Sequence, residues 1–197
     1  GLGDVYKRQS TQFIAKYMLS NLGTGKKFSD ESGEMVTEDI AKAKSLLAEA
    51  GYPNGAGFPT VTYNYPNNEQ DKLIAQAIQA QLKSALNINV EINGMESQVC
   101  VSERKSGNFD MTRHNWTADY DDAMDYLLMW TSTSGLNDAG IKDADYDKLC
   151  EDATAELDET KRNTIIHDAE KLLVTDKAYV APVSYTHLRA HETCADL

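Results

Sequence analysis

At 197 residues, with 41% hydrophobic and 25% charged positions, the chain has the make-up of an ordinary globular protein, with room for one full-sized domain or part of a larger one. A formal net charge of −12 argues against nucleic acid as a partner, because phosphate binding needs clustered Lys and Arg, and no apolar run approaches the ~20 residues that span a bilayer. Cys100, Cys150 and Cys194 are widely spaced and odd in number, so they give neither a disulfide framework nor a CxxC metal or redox motif.

Residues 1–9, "GLGDVYKRQ", and 184–197, "SYTHLRAHETCADL", fit poorly with the sequence between them and resemble translated sequencing-adapter read-through. Both ends are expected to be foreign, which leaves residues 10–183 for functional reasoning. The lack of a secretory signal at such an N-terminus carries no weight. The same exclusion disposes of His187, His191 and Cys194, whose H-x3-H-x2-C spacing would present zinc ligands on one helical face without a fourth. No metal and no cofactor is expected.

In chain order, Thr37 is the expected cap of a first helix, with Glu38 and Asp39 at the positive end of its dipole and Ile40, Ala43, Leu47 and Ala50 at helical spacing. Gly51 stops it, Pro53 follows, and "YPNGAGFPT" reads as a turn-rich loop. "TVTYNY", residues 60–65, is β-branched and aromatic and predicts a strand. Residues 68–86 predict an amphipathic helix with Ile74, Ala77, Ile78, Leu82 and Ala85 on one stripe. In "NINVEIN", Ile88, Val90 and Ile92 face one way and Asn89 and Glu91 the other, so strand, helix and strand form a βαβ unit with a right-handed parallel crossover.

A short helix over 96–105 ends near Gly107, and "FDMTRHNW" predicts another strand, running into "RHNWTADYDDAMD", residues 113–125. Ligand sites of open α/β sheets gather at the carboxyl ends of strands. Tyr146, Leu149, Cys150, Ala153 and Leu157 form the stripe of a later helix, with Cys150 a core thiol. Ile165, Ile166, Ala169, Leu172 and Leu173 form that of the next, with Asp158 as its cap, and "AYVAPV" predicts a last strand. The class is α/β, one lobe, and incomplete.

Three readings compete for the central cluster. Asp119, Asp121, Asp122 and Asp125 could supply an acid–base pair, but the last three sit where a helix starts, and no Ser-His-Asp spacing, glycine-rich phosphate loop or G-x-S-x-G elbow accompanies them. A calcium loop wants glycine sixth and glutamate twelfth, where Met124 and Trp130 stand; "DADYD", residues 143–147, fails similarly. Asp119 beside the Trp116 indole could hold an ammonium group by a charge-assisted hydrogen bond and cation–π attraction. Residue types alone would make Trp116 core filling and Asp119 a helix cap.

"AKAKSLLAEAGYPNGAGFPTVTYNY", "IAQAIQAQLKSALNINVEI", "SGNFDMTRHNWTADYDDAMDYL" and "YDKLCEDATAEL" resemble, in order, the family 5 extracellular solute-binding proteins. These are the oligopeptide- and dipeptide-binding components of ABC importers. The resemblance covers nearly all of residues 11–183, and W-x-A-D-Y after G-x-F-D is its most specific piece. It implies the C-terminal lobe of a two-lobed, type II periplasmic-binding-protein-like fold, with the N-terminal lobe and signal sequence missing.

Function, by the same resemblance, is not enzymatic but capture of a short peptide for delivery to a membrane permease. The protein is then a monomer outside the cytoplasm, periplasmic or lipid-anchored. Asp119 matches the carboxylate that pairs with the peptide's α-ammonium, and Trp116 a wall of that pocket. Arg113 and Arg104 lie where members place basic residues toward the ligand's carboxylate end, while His114 carries no transferable role and reads as a strand residue. Alternatives are a same-family binder of a nickel chelate or sugar, and a carboxylate-dependent hydrolase.

Overall fold

The computed structural model describes residues 13–15, 18 and 26–182; both adapter-like ends, with His187, His191 and Cys194, lie outside the described residues. In chain order the elements are α1 (Phe28–Ser32), α2 (Ile40–Glu49), β1 (Val61–Pro66), α3 (Glu69–Leu86), β2 (Val90–Met95), α4 (Ser97–Lys105), β3 (Met111–Thr112), α5 (Met124–Leu127), α6 (Ala144–Ala155) and α7 (Glu159–Lys171). A single 3₁₀ turn follows α5 at Leu128–Trp130, and a π-turn, Leu172–Asp176, extends α7. The chain divides into two compact units, residues 38–116 on one hand and 1–37 with 117–197 on the other.

In the unit of residues 38–116, alternation sets the sheet. Its order is β2-β1-β3, all parallel, with Val61 to Pro66 in register with Val90 to Met95. Tyr63 and Tyr65 point to one face and stack with ring centroids 6.1 Å apart, buried with Ala75 of α3, Ile88 and Val90. Between them, Asn64 faces the other way yet is only 4% exposed. Burial of such a group is tolerable because it is hydrogen-bonded: Asn64 Nδ2 donates to the Asn108 carbonyl at 3.0 Å, and Asn93 Nδ2 donates to Asn64 Oδ1 at 3.1 Å.

The expected strand "FDMTRHNW" shrinks to Met111–Thr112, paired with Tyr63 and Asn64. Upstream, Asp110 Oδ2 takes the Thr62 N–H at 2.8 Å, so a side chain replaces the ladder and ends the pairing. Downstream, the Arg113 N–H still reaches β1, donating to the Asn64 carbonyl at 2.9 Å. His114 is therefore not a strand residue.

Thr37 does not cap α2. Asp39 does, its Oδ1 accepting the Lys42 N–H at 2.8 Å. No residue of α2 is fully buried, and Ile40 is 44% exposed; of the expected stripe Ala43 and Leu47 are half-buried, and Leu47 packs on the tyrosine core. The turn after α2 is fixed by a close approach. At Gly55 φ is +74°, and a Cβ there would lie 2.3 Å from the Leu86 carbonyl oxygen at the end of α3. Only glycine satisfies both the left-handed backbone and that spacing.

In the other unit α6 packs on α7, and Tyr146, Leu127, Ile166, Ala169 and Leu173 are buried to 1% exposure or less. The Tyr146 hydroxyl donates to the Leu127 carbonyl at 2.8 Å. Cys150 is a buried thiol as expected, and burial pushes it up to about 11. Asp158 caps α7 as expected, accepting the Lys161 N–H at 3.0 Å. Leu157 departs from its predicted stripe: α6 ends at Ala155 and Leu157 is 94% exposed. "AYVAPV" forms no strand within the described residues, and Ala178 takes φ +50°. β-propensity without a ladder partner does not make a strand.

Glu170 of α7 is fully buried, and its Oε1 accepts the N–H groups of Phe13 and Ile14, each at 2.8 Å. The Phe13 ring then packs edge-on against Tyr126 at 5.8 Å. Burial pushes the Glu170 carboxyl above the usual glutamate range, with the two N–H donors acting oppositely. A raised folded-state value favours the neutral acid, so this contribution is fully present below the ordinary glutamate value of about 4.3 and is lost as pH rises from there through the raised folded-state value.

Thermal denaturation against pH tests this. Glu170→Gln keeps the acceptor without the charge, and it should melt with the native protein at pH 4 and above it at pH 7, whereas Glu170→Leu should melt lower at both. A native melting curve that gains on Glu170→Gln as pH rises contradicts the assignment. Separately, Gly55→Ala should cost at least about 2 kcal/mol in urea unfolding, from the left-handed backbone plus the displaced Leu86 carbonyl.

Candidate functional site

The end of β3 sets the first part of the site. Because the Arg113 N–H is held by β1, its side chain starts from a fixed point and reaches back to the first turn of α3. There Arg113 Nε meets Asp71 Oδ1 at 3.2 Å, with the side chains 20% and 14% exposed. Arg113 Nη1 also donates to the His114 carbonyl. Arg104, half-buried in the last turn of α4, donates from Nη1 to the Arg113 carbonyl at 3.3 Å. Both predicted arginines therefore belong to one assembly.

Asp71 is the member that sequence reasoning missed. Asn68 caps α3 by accepting the Asp71 N–H at 2.9 Å, and returns Nδ2 to Asp71 Oδ2 at 2.8 Å. The N-x-x-D spacing at a helix start was a signal for that reciprocal cap. Nothing local indicated the cation, 42 positions away.

Trp116, half-buried, is the last residue of its unit, and Thr117 opens the other. In that second unit the four aspartates separate by partner. Asp122 Oδ1 accepts the Met124 N–H at 2.9 Å, and its two oxygens receive Arg162 Nη2 at 3.0 and 2.7 Å. Asp125 is 9% exposed and its Oδ2 accepts the Asp119 N–H at 3.1 Å. Asp121 and Asp119 are exposed.

A helix does start here, as expected: α5 has Asp125 in its first turn, and Asp122 accepts the Met124 N–H. The helix has only four residues, and Asp122 and Asp125 are also engaged beyond it. Asp125 fixes the backbone that presents the exposed Asp119. With Asp122 neutralised by a guanidinium, the cluster is poorly suited to an acid–base pair.

A cavity of about 590 Å³ lies on the polar face of the sheet against Thr62, Asn64, Asn93, Glu103 and Asp110, and is lined by none of the predicted site residues. Among the described residues no group of three or more His, Cys, Asp or Glu could hold a metal ion, and no helix is long and apolar enough to cross a membrane.

The family model described as "Bacterial extracellular solute-binding proteins, family 5 Middle" matches residues 6–138. A dipeptide-binding protein of Bacillus subtilis is 32% identical over 163 residues, 82% of this chain and 30% of that protein. The periplasmic murein peptide-binding protein of Escherichia coli is 34% identical over 159 residues, 79% of this chain and 29% of that protein. A solved structure of the Escherichia coli murein tripeptide-binding protein superposes with a TM-score of 0.77 at 27% identity, covering 90% of this chain and 34% of that one. The chain thus spans about a third of the length of these relatives and shares their periplasmic-binding-protein-like α/β fold. It belongs to family 5 of the bacterial extracellular solute-binding proteins.

Proposed function

We propose that the protein carrying this chain is the substrate-binding component of an ABC importer that captures short peptides by their α-ammonium end and passes them to a membrane permease. The observation that carries this reading is Asp119: exposed in the W-x-A-D-Y element, with its backbone fixed by the buried Asp125. A free α-ammonium is common to all unmodified peptides, so one carboxylate anchor permits capture tolerant of sequence. Trp116 offers an indole face to the same cation. Arg113 and Arg104 face the ligand's carboxylate end.

Extended pairing of the peptide backbone supplies affinity without reading side chains. Two lobes closing by a hinge remove the ion pair from water, which strengthens it only where its geometry is good. The protein binds without turning over its ligand, works outside the cytoplasm and acts as a monomer. Similarity to peptide-binding relatives of Bacillus subtilis and Escherichia coli supports peptides over a nickel chelate or sugar.

The test is a thermal-shift series with alanine peptides of two to six residues on the intact protein. Free peptides should raise the melting temperature, and N-acetylation or Asp119→Ala should abolish the rise. A shift that survives both changes removes Asp119 from the anchor role.

A further inference from the structure

Asp71 bears on which ligands the arginines accept. A carboxylate is gripped best when it meets two nitrogens of one guanidinium edge in parallel. In Arg113, Nε is directed at Asp71 and Nη1 at the His114 carbonyl, so each of the two edges already has a nitrogen engaged within the protein. The Asp71 carboxylate is itself held by Asn68 on its second oxygen and by its place in the first turn of α3. It is a fixed counter-charge. Arg104 is tied to the same assembly through the Arg113 carbonyl.

We infer that Asp71 is a specificity-determining residue: it compensates Arg113 and lowers the site's preference for a ligand carboxylate at that position. This rests on the peptide-binding reading above. The ligand class it favours is a longer peptide that still runs its carboxylate end past the arginines but places a neutral backbone amide beside Arg113, with the carboxylate itself further along. The pair is partly shielded from solvent, with side chains 20% and 14% exposed, so the compensation is not erased by screening as it would be at a fully exposed bridge.

Isothermal titration calorimetry on the intact protein tests it, with alanine peptides of two to six residues, each as free acid and as C-terminal amide. The readout is the acid-to-amide affinity ratio. Asp71→Asn keeps the amide-sized side chain and removes the charge, and it should raise that ratio about tenfold or more at one peptide length while amide affinities stay within about threefold. A merely structural role for Asp71 would weaken acids and amides alike. A ratio that stays the same at every length, or falls, overturns the inference and makes Asp71 an orienting partner for Arg113. Should Asp71→Asn unfold, Asp71→Ser removes the same charge and carries the same readout. If neither acid nor amide binds the native protein, the peptide reading itself is overturned, and this refinement goes with it.

Discussion

Strand β1 pairs with a neighbour on each side, and most of its unit is referred to it. Its odd and even residues do different work. Tyr63 and Tyr65 build the apolar core under α3, while Asn64, between them, is a buried polar node bonded to Asn93 and Asn108. The Asn64 carbonyl also receives the Arg113 N–H. A one-residue slip of this strand would exchange the two faces, burying Thr62 among the tyrosines' former partners and releasing Arg113 from its anchor. The register that forms the core thus also aims the site.

Carboxylates do the second half of the positioning. Asp39, Asp143 and Asp158 cap helices by accepting N–H groups, which stabilises helix ends by local geometry. Asp110, Asp125 and Glu170 do the same for backbone that is not helical, closing a sheet edge, holding the Asp119 segment and tying Phe13–Ile14 to α7. Asp71 and Asp122 hold guanidinium groups. Much of the acidic content of this −12 chain is therefore structural, and Asp119 is distinguished by being presented while its backbone is held. That contrast supports a recognition site over a catalytic one.

How much of this was legible follows from sequence distance. β1, α3 and β2 are each encoded by local periodicity, two residues for the strands and about 3.6 for the helix, and their βαβ order requires nothing remote. Asp158 could be read as a cap because the cap and the N–H it accepts lie within one turn. Asp39 rather than Thr37 caps α2 because both carry a capping side chain just before the apolar stripe, and only backbone geometry chooses between them. Leu157 lay in phase with α6, but the helix stops at Ala155, so phase alone could not bury it.

The sequence by itself determined the α/β class, the central βαβ unit, the buried Cys150 and, through W-x-A-D-Y and the segments around it, the family. Tertiary structure decided the length of β3, the absence of a strand at 178–182, and the partners of the charged residues. Pairs such as Arg113 with Asp71, 42 positions apart, and Ile14 with Glu170, 156 apart, leave no periodic trace. A side chain's charge is written in the sequence, but whether that charge is offered or already compensated depends on which distant element the fold brings against it.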